Sequence, residues 1–255
     1  MSSNQTVVVI VPGAWTPPAA YRKLADALKA KSLAVHIPAL PTNNGARPPN
    51  SSHEADMAAV RDVVEPLVSQ GNDVVMLMHS YGGAVGTNAV EGLARTDRQS
   101  KGLEGGVVHL VYLSAYLLAK GQSIMTILDL AGLTGRDHLV TINEDGTWLP
   151  SDSVSSMYHD LDPDDQVEQS ELVKPNNLAC MYGQVKYEAW RDIPSTYVRT
   201  EQDLVVPPKF QDICLENAEK AGISVNIAVF DCGHSAYAKY PIEVADIVVK
   251  ASNAT

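Results

Sequence analysis

The chain has 255 residues, of which 45% are hydrophobic and 19% are charged. This length and composition fit one α/β domain with a substantial core. Thirty acidic residues against 19 basic ones give a net charge of −11, which argues against nucleic acid or an anionic membrane as a partner. The longest apolar run, Val107 to Ala119, is shorter than a membrane span and contains His109, so no membrane span is expected.

The N-terminal segment carries no basic stretch ahead of its first apolar run, so no secretory signal is expected. Three widely spaced cysteines, Cys180, Cys214 and Cys232, predict reduced thiols and a cytoplasmic protein. No Cys/His spacing indicates a metal site, and no cofactor is expected. The pattern gives no information on the oligomeric state.

Buried-strand patterns alternate with helical patterns in the first half of the chain. The predicted strands are Thr6–Val11, Leu33–Ile37, Val74–Met78 and Val107–Leu113. Predicted helices begin at Pro17-Pro18, span His53–Gln70, and run from Ser80 to about Ala94, before a charged loop over 96–106. Repeated strand–helix units imply a parallel sheet with helices on both faces, which is an α/β fold.

This alternation stops after Leu113. Residues 114–193 have mixed composition and are interpreted as a small, mainly helical cap insertion over the C-terminal edge of the sheet. Strands resume at Ser195–Thr200 and Ser224–Phe230, and helices are predicted over Pro208–Ala221 and Pro241–Ala251. The chain is therefore expected to form a single domain over 1–255.

The sequence His79-Ser80-Tyr81-Gly82-Gly83 follows a strand pattern and precedes a helical one. A residue at such a corner is held out at the C-terminal edge of the sheet, where α/β proteins bind ligands. Ser80 is therefore a candidate nucleophile. A serine hydroxyl needs a positioned base, which is usually histidine.

His234 is the candidate base because it follows the last predicted strand and lies at the same edge as Ser80. His79 is excluded because neighbours on a strand point to opposite faces. His36 and His109 lie within strand patterns, which favours core histidines. The other three lie in loop or cap regions without a motif: His53, His138 and His159.

A third group must orient the base and stabilise its charged form. The loop after Ser195–Thr200 offers Asp203, which lies past the strand end, and Glu201, which is adjacent to it and could be a surface acid. Asp231 is a weaker third candidate because it is close in sequence to His234. With Asp203, the chain order is Ser…Asp…His.

A tetrahedral intermediate also needs preplaced donors for its negative charge. The backbone N–H of Tyr81, directly after the nucleophile, is one candidate. The turn Pro12-Gly13-Ala14-Trp15 after the first strand supplies the second, with Gly13 allowing close approach and Ala14 as the donor. A plain tight turn at Gly13 is compatible with this role.

Several segments together resemble the α/β-hydrolase superfamily over nearly the whole chain. More narrowly, the chain is similar to the branch of EstC-like esterases, plant methylesterases and plant hydroxynitrile lyases. It rests on Val11–Trp15, His79–Gly83, Trp190–Tyr197, Thr200–Asp203 and Gly233–Ser235. This resemblance implies an α/β-hydrolase fold with about six parallel strands, Ser80, His234 and Asp203 as the triad, and Ala14 and Tyr81 as the oxyanion hole.

Two positions depart from the usual pattern of this family. Met78 replaces the first glycine of G-x-S-x-G, which implies different packing at the corner and a place to look for strain, and Pro12 replaces a histidine in the oxyanion turn. Lyase relatives carry a lysine after the catalytic histidine and a threonine in the oxyanion turn. Ser235 and Gly13 occupy those positions here, so cyanohydrin cleavage is not expected.

These features predict a cofactor-independent serine hydrolase that cleaves a carboxylic ester or lactone of a small, largely apolar metabolite through an acyl-enzyme. A lyase, isomerase or cyclase using the same triad remains an alternative, as does a non-hydrolytic small-molecule receptor. Residues that could line the substrate pocket, or equally form core, are Trp15, Tyr116, Met125, Met157, Tyr158, Met181 and Tyr182.

Overall fold

The computed structural model describes residues 5–132 and 139–253, and the predicted loop histidine His138 lies outside these ranges. The strands within them are β1 (Thr6–Val11), β2 (Ala34–His36), β3 (Asp73–His79), β4 (Gly106–Leu113), β5 (Val140–Ile142), β6 (Thr147–Pro150), β7 (Asn176–Asn177), β8 (Ser195–Thr200) and β9 (Asn226–Phe230).

The larger sheet has the strand order β2-β1-β3-β4-β8-β9, with parallel pairing throughout the described residues. In its centre, Met78 at the end of β3 pairs with Val11 of β1, and His79 pairs with Leu113 of β4. The C-terminal ends of these strands therefore lie side by side. The predicted α/β fold with about six parallel strands is confirmed.

The central strands β3 and β4 are almost completely buried, because their continuous apolar runs are covered on both faces. His109 of β4 is a core residue as predicted, and its Nε2 lies 2.9 Å from the Thr196 hydroxyl of β8. The same prediction was wrong for His36. That residue is exposed, because β2 is an edge strand with only one neighbour.

The described helices are α1 (Arg22–Ala30), α2 (His53–Ser69), α3 (Gly82–Ala89), α4 (Arg95–Ser100), α5 (Ile124–Leu130), α6 (Ser153–Met157), α7 (Pro163–Leu172), α8 (Pro208–Lys220), α9 (Ala236–Lys239) and α10 (Pro241–Asn253). Helix α3 is shorter than predicted, because Gly92 (φ 74°) turns the chain shortly after it. Helix α4 forms inside the segment that was predicted to be a loop. None of the helices described has the length and apolar character that a bilayer crossing requires.

The segment between β4 and β8 contains the three helices α5, α6 and α7 and a small antiparallel sheet in the order β5-β6-β7. This sheet was not predicted. Its strands are only two to four residues long, too short for an alternating pattern to be recognised. Trp148 of β6 packs edge-on against Trp15 of the β1 turn, with 4.4 Å between ring centroids, and so brings this segment close to the C-terminal edge of the main sheet.

Candidate active site

Ser80 lies at the corner between β3 and α3, in the left-handed backbone region with φ 53°. This conformation costs a non-glycine residue roughly 1–2 kcal/mol. The strain is held by backbone hydrogen bonds from Ser80 N–H to Leu113 O (3.2 Å) and from Gly83 N–H to Ser80 O (3.0 Å). The Ser80 side chain lines a pocket, although the residue as a whole is only 6% exposed.

The two glycines after Tyr81 allow this corner to pack tightly. A Cβ on Gly82 would lie 2.4 Å from Val11 O, and one on Gly83 would lie 2.7 Å from Tyr116 O. Both contacts are with backbone atoms, which cannot move aside easily. The two glycines of the His-Ser-x-Gly-Gly pattern are therefore required by the close approach of β1 and of the segment after β4.

Met78 is fully buried, and the space for its side chain comes from Gly86 of α3. A Cβ on Gly86 would lie 2.5 Å from Met78 Sδ. Met78 was predicted to pack in an unusual way, but Gly86 was not predicted as its partner. The backbone strain at this corner lies at Ser80, whereas Met78 is accommodated by side-chain packing.

His234 and Asp203 form a buried pair at the same edge. The Nδ1–H of His234 donates to Asp203 Oδ2 at 2.8 Å, and the two residues are 1% and 2% exposed. Asp203 also accepts from the N–H groups of Val205 and Val206, each at 2.8 Å, and from the Thr200 hydroxyl at 3.0 Å. This carboxylate is therefore fixed in place, and the Nε2 of His234 is left as the basic nitrogen.

The competing acids lie elsewhere. Glu201 forms an ion pair with Arg199 at 2.7 Å, and its side chain is 40% exposed. Asp231 accepts from Gln202 Nε2 at 2.7 Å in an exposed position. Of the three acids considered from the sequence, Asp203 is the one that the fold brings to His234.

His79 is buried beneath the corner, as expected from its position on the opposite face of β3. Its Nε2–H donates to His234 O at 3.2 Å, and the two imidazole rings lie 4.6 Å apart. Burial lowers the pKa of His79 well below its usual value, so the ring is neutral and its Nδ1 accepts from Tyr21 Oη at 2.8 Å. The Tyr21 hydroxyl in turn accepts from Gly13 N–H at 2.8 Å. His79 thus joins the turn after β1 to the loop of His234.

That turn places Ala14 in the pocket beside Ser80 and Tyr81. The amides on either side of Ala14 are both engaged, Gly13 N–H with Tyr21 and Trp15 N–H with Asn43 Oδ1 at 3.1 Å. Trp15 has a φ of 67°, so this turn is also strained. The turn was predicted, whereas Tyr21 and Asn43 were not, because they lie 8 and 28 positions from the amides that they hold.

The pocket has a volume of about 310 Å³ and is mainly apolar. Five of the seven candidate residues line it: Trp15, Tyr116, Met125, Met181 and Tyr182. Lining residues that the sequence analysis missed include Ile124, Leu128, Val140, Trp148, Leu178, Val205 and Phe210. Most of them come from short cap elements whose mutual arrangement no local pattern encodes.

Met157 and Tyr158 were predicted as candidate pocket residues, but the structure places both in the core. They lie at the C-terminal end of α6, where they are almost completely buried. Ser156, directly before them, lines the pocket instead, with its hydroxyl donating to Asp152 O at 2.6 Å. The one-residue difference decides which side chain faces the pocket.

The polar edges of the two pocket tryptophans are already engaged within the protein. Trp15 Nε1–H donates to Trp148 O at 3.2 Å, and Trp148 Nε1–H donates to Asn176 Oδ1 at 3.3 Å. Among the described lining residues, none carries a charged side chain. The pocket therefore offers few polar groups besides those at Ser80 and its adjacent backbone.

A carboxylate from the segment between β4 and β8 also holds the histidine loop. Asp160 Oδ2 accepts from Gly233 N–H at 2.7 Å and from Lys239 Nζ at 2.9 Å. Gly233 directly precedes His234, and a Cβ there would lie 2.7 Å from the ring of His159. The backbone on the N-terminal side of His234 is thus anchored to this segment.

The chain matches a model described as the alpha/beta hydrolase family over residues 8–247. The alpha/beta hydrolase nvfD of Aspergillus novofumigatus is 28% identical over 249 residues, which are 95% of this chain and 93% of that protein. A pyrethroid hydrolase from Sphingobium faniae has the same fold, with a TM-score of 0.73 and 19% identity over 99% of this chain and 98% of that one. The methylesterase MES16 from Arabidopsis gives 0.71 and 19%, over 97% and 99% of the two chains. The family predicted from the sequence is confirmed, and the chain belongs to the alpha/beta hydrolase family.

Proposed function

We propose that this protein is a serine hydrolase that cleaves an uncharged carboxylic ester or lactone through an acyl-enzyme. Ser80 is the nucleophile, His234 the general base and acid, and Asp203 the group that orients His234. The N–H groups of Ala14 and Tyr81 form the oxyanion hole. The observation that carries the proposal is the buried Asp203–His234 pair at the sheet edge where strained Ser80 opens into an apolar pocket.

In the first half of the reaction, Ser80 Oγ attacks the substrate carbonyl carbon while its proton passes to His234 Nε2. The carbonyl oxygen becomes an oxyanion and accepts from Ala14 and Tyr81 N–H. When the tetrahedral intermediate collapses, the bond to the leaving oxygen breaks, and that oxygen takes the proton from His234. An alcohol is released, or stays attached if the substrate is a lactone.

In the second half, water attacks the acyl carbon and gives its proton to His234. Collapse of the second intermediate breaks the bond to Ser80 Oγ, which regains its proton, and a carboxylic acid is formed. The acid ionises at neutral pH. Because an apolar pocket disfavours an unpaired carboxylate, the surroundings of Ser80 promote product release.

The pocket supports a neutral, mainly apolar substrate. Its volume of about 310 Å³ is at the lower end of the range for small-molecule sites. The indole faces of Trp15 and Trp148 form part of its wall, so a planar or bulky hydrocarbon group fits beside Ser80. The methylesterase with the same fold is named for action on esters, and the pyrethroid hydrolase is named for hydrolysis, which agrees with this class.

Replacing Ser80 tests the nucleophile directly. Wild type and Ser80→Ala are assayed on short p-nitrophenyl and methyl esters, with the acid and alcohol products identified. Wild type should turn over many times, and Ser80→Ala should fall to the uncatalysed background. Undiminished hydrolysis by Ser80→Ala would reject the proposal, as would a wild type that only binds the ester tightly.

A matched pair of variants tests the acid. Asp203→Asn should lower kcat by about 10³- to 10⁴-fold, because the amide cannot hold the required tautomer of His234. Glu201→Gln removes a nearby exposed carboxylate and should leave kcat within about 3-fold of wild type. Equal losses in the two variants would contradict the assignment.

A further inference from the structure

Asn43 forms a two-point clamp on the turn that carries Ala14. Its Nδ2–H donates to Gly13 O at 3.0 Å, and its Oδ1 accepts from Trp15 N–H at 3.1 Å. The carbonyl and the amide that it contacts fix which side-chain atom is nitrogen and which is oxygen. Because these bonds hold the residues on either side of Ala14, they set the direction in which the Ala14 N–H points.

The turn needs such a clamp because it is strained. The φ of 67° at Trp15 is unfavourable for a residue with a side chain, and surrounding contacts must hold it. Asn43 is itself buried, so water does not compete strongly for its amide. Without the clamp, we expect the turn to relax and the Ala14 N–H to move.

The cap segment, which is the segment between β4 and β8, also holds Asn43. Asn176 of β7 donates from Nδ2 to Asn43 Oδ1 at 2.6 Å and to Thr42 Oγ1 at 2.9 Å. Asn176 accepts from Trp148, whose ring lines the pocket. The wall of the pocket is thereby connected to the oxyanion turn through two buried amides.

The same network reaches the second oxyanion donor. The Thr42 hydroxyl donates to Asp56 Oδ2 at 2.6 Å, and Thr42 N–H donates to Asp56 Oδ1 at 3.0 Å. The Tyr81 hydroxyl also donates to Asp56 Oδ2, at 2.8 Å. One set of buried side chains thus links the two residues whose N–H groups must face the same oxygen.

We propose that Asn43 is a positioning residue for the oxyanion hole, and that the cap segment acts on the hole through Asn176. The proposal rests on the proposed function and deepens it, because it concerns the geometry that stabilises the tetrahedral intermediate. Such a residue changes kcat more than KM, since the oxyanion forms only after the substrate has bound.

The test compares Asn43→Ala with Asn44→Ala, which removes the neighbouring exposed amide. Asn43→Ala should lower kcat about 10- to 100-fold with KM within about 3-fold, because misplacement of one donor approaches the cost of losing it. Its affinity for a trifluoromethyl ketone, which forms a tetrahedral adduct on Ser80, should fall in parallel. Asn44→Ala should change none of these. A folded Asn43→Ala protein with kcat and ketone affinity within 2-fold of wild type would overturn the proposal.

Three further variants give independent readouts. Asn43→Asp keeps the volume and the acceptor but loses the donor to Gly13 O, so it should lose kcat as well, even if Asn43→Ala proves unfoldable. Asn176→Ala should lower kcat less, and the Asn43→Ala/Asn176→Ala double variant should match Asn43→Ala alone. If the kcat losses of the two single variants multiply in the double variant, Asn176 does not act through Asn43.

Amide hydrogen exchange separates this proposal from the proposed function. Exchange at Gly13 and Ala14 should be faster in Asn43→Ala than in wild type and unchanged in Asn44→Ala. If wild type hydrolyses no ester, the proposed function fails, while this measurement still decides whether Asn43 holds the turn. Equal exchange in Asn43→Ala and wild type would reject the clamp.

Discussion

The Tyr21 hydroxyl donates to His79 Nδ1 at 2.8 Å, and this bond connects the turn after β1 to the loop that carries His234. Gly13 N–H donates to the same hydroxyl. His79 is the residue directly before Ser80. One buried tyrosine therefore bonds to two of the segments that meet at the candidate active site, and it reaches the third, the loop of His234, through His79.

Tyr21→Phe should destabilise the protein by about 1–3 kcal/mol, because it leaves the buried Gly13 N–H and His79 Nδ1 without their partner. It should also lower kcat several-fold, through displacement of the turn. Tyr112→Phe is the matched control, because the Tyr112 hydroxyl is equally buried and pairs with Thr87 at 2.7 Å away from the pocket. Denaturant unfolding and ester kinetics on both variants check this. A similar fall of kcat in the two would argue against a specific role.

Gly86→Ala should destabilise the protein by about 1–3 kcal/mol, because the new methyl group would lie 2.5 Å from Met78 Sδ. Met78→Ala removes the clashing atoms, so the double variant should lose less stability than the sum of the two single ones. Chemical denaturation of the four proteins gives the coupling free energy. Additive losses would show that Met78 and Gly86 do not share this space.

His109 should make the free energy of unfolding fall at acidic pH. Burial lowers the pKa of His109 from 6.5 to about 4, so the unfolded chain takes up a proton at a higher pH than the folded protein does. Its contribution is fully present above pH ~6.5 and is lost as the pH falls toward ~4, by up to about 3 kcal/mol.

His109→Gln should therefore show a shallower fall in unfolding free energy over that interval, measured by urea titration at several pH values. His36→Gln replaces the exposed histidine of β2 and serves as the control. Parallel pH profiles for wild type and His109→Gln would contradict the prediction.

The pocket should discriminate between neutral and negatively charged esters. A dimethyl ester should be cleaved with a kcat/KM at least about 100-fold higher than the monomethyl ester of the same diacid, since the free carboxylate would be buried without a cationic partner. Alkaline hydrolysis rates of the two compounds provide the reference for intrinsic reactivity. Comparable enzymatic values would show that the carboxylate stays in solvent or has a partner.

The main sheet was predictable from its apolar strand patterns. The residues of the candidate triad were predictable because each of them lies where such a strand pattern ends. Ser80, Asp203 and His234 follow apolar strands, and parallel strands bring their C-terminal ends to one edge. Asp203 could be preferred to Glu201 from the local sequence alone. Asp203 lies past the end of the strand, whereas Glu201 directly follows its last residue, Thr200. Its partners in the fold agree with that reasoning.

The supporting contacts were not predictable in this way. Asn43 and Asn176 are 133 positions apart, and neither belongs to a recognisable pattern. The exposure of His36 depends on the strand order, which periodicity does not report. Gly86 is the exception. It is a glycine inside the helix that follows the strand of Met78, and a glycine at such a place could have indicated space for the unusual methionine side chain.

The bonds of Asp160 to Gly233 and Lys239 limit how the segment over the pocket can be exchanged between relatives. Together with the bond from Asn176 to Asn43, they attach the segment over the pocket to the loop of His234 and to the turn after β1. A segment grafted from a relative to change the preferred ester would need a carboxylate to meet the Gly233 N–H and an amide to meet Asn43. Exchange of individual wall residues such as Leu128 or Leu178 leaves both attachments intact, so we expect it to change the preferred ester with less loss of rate than a grafted segment.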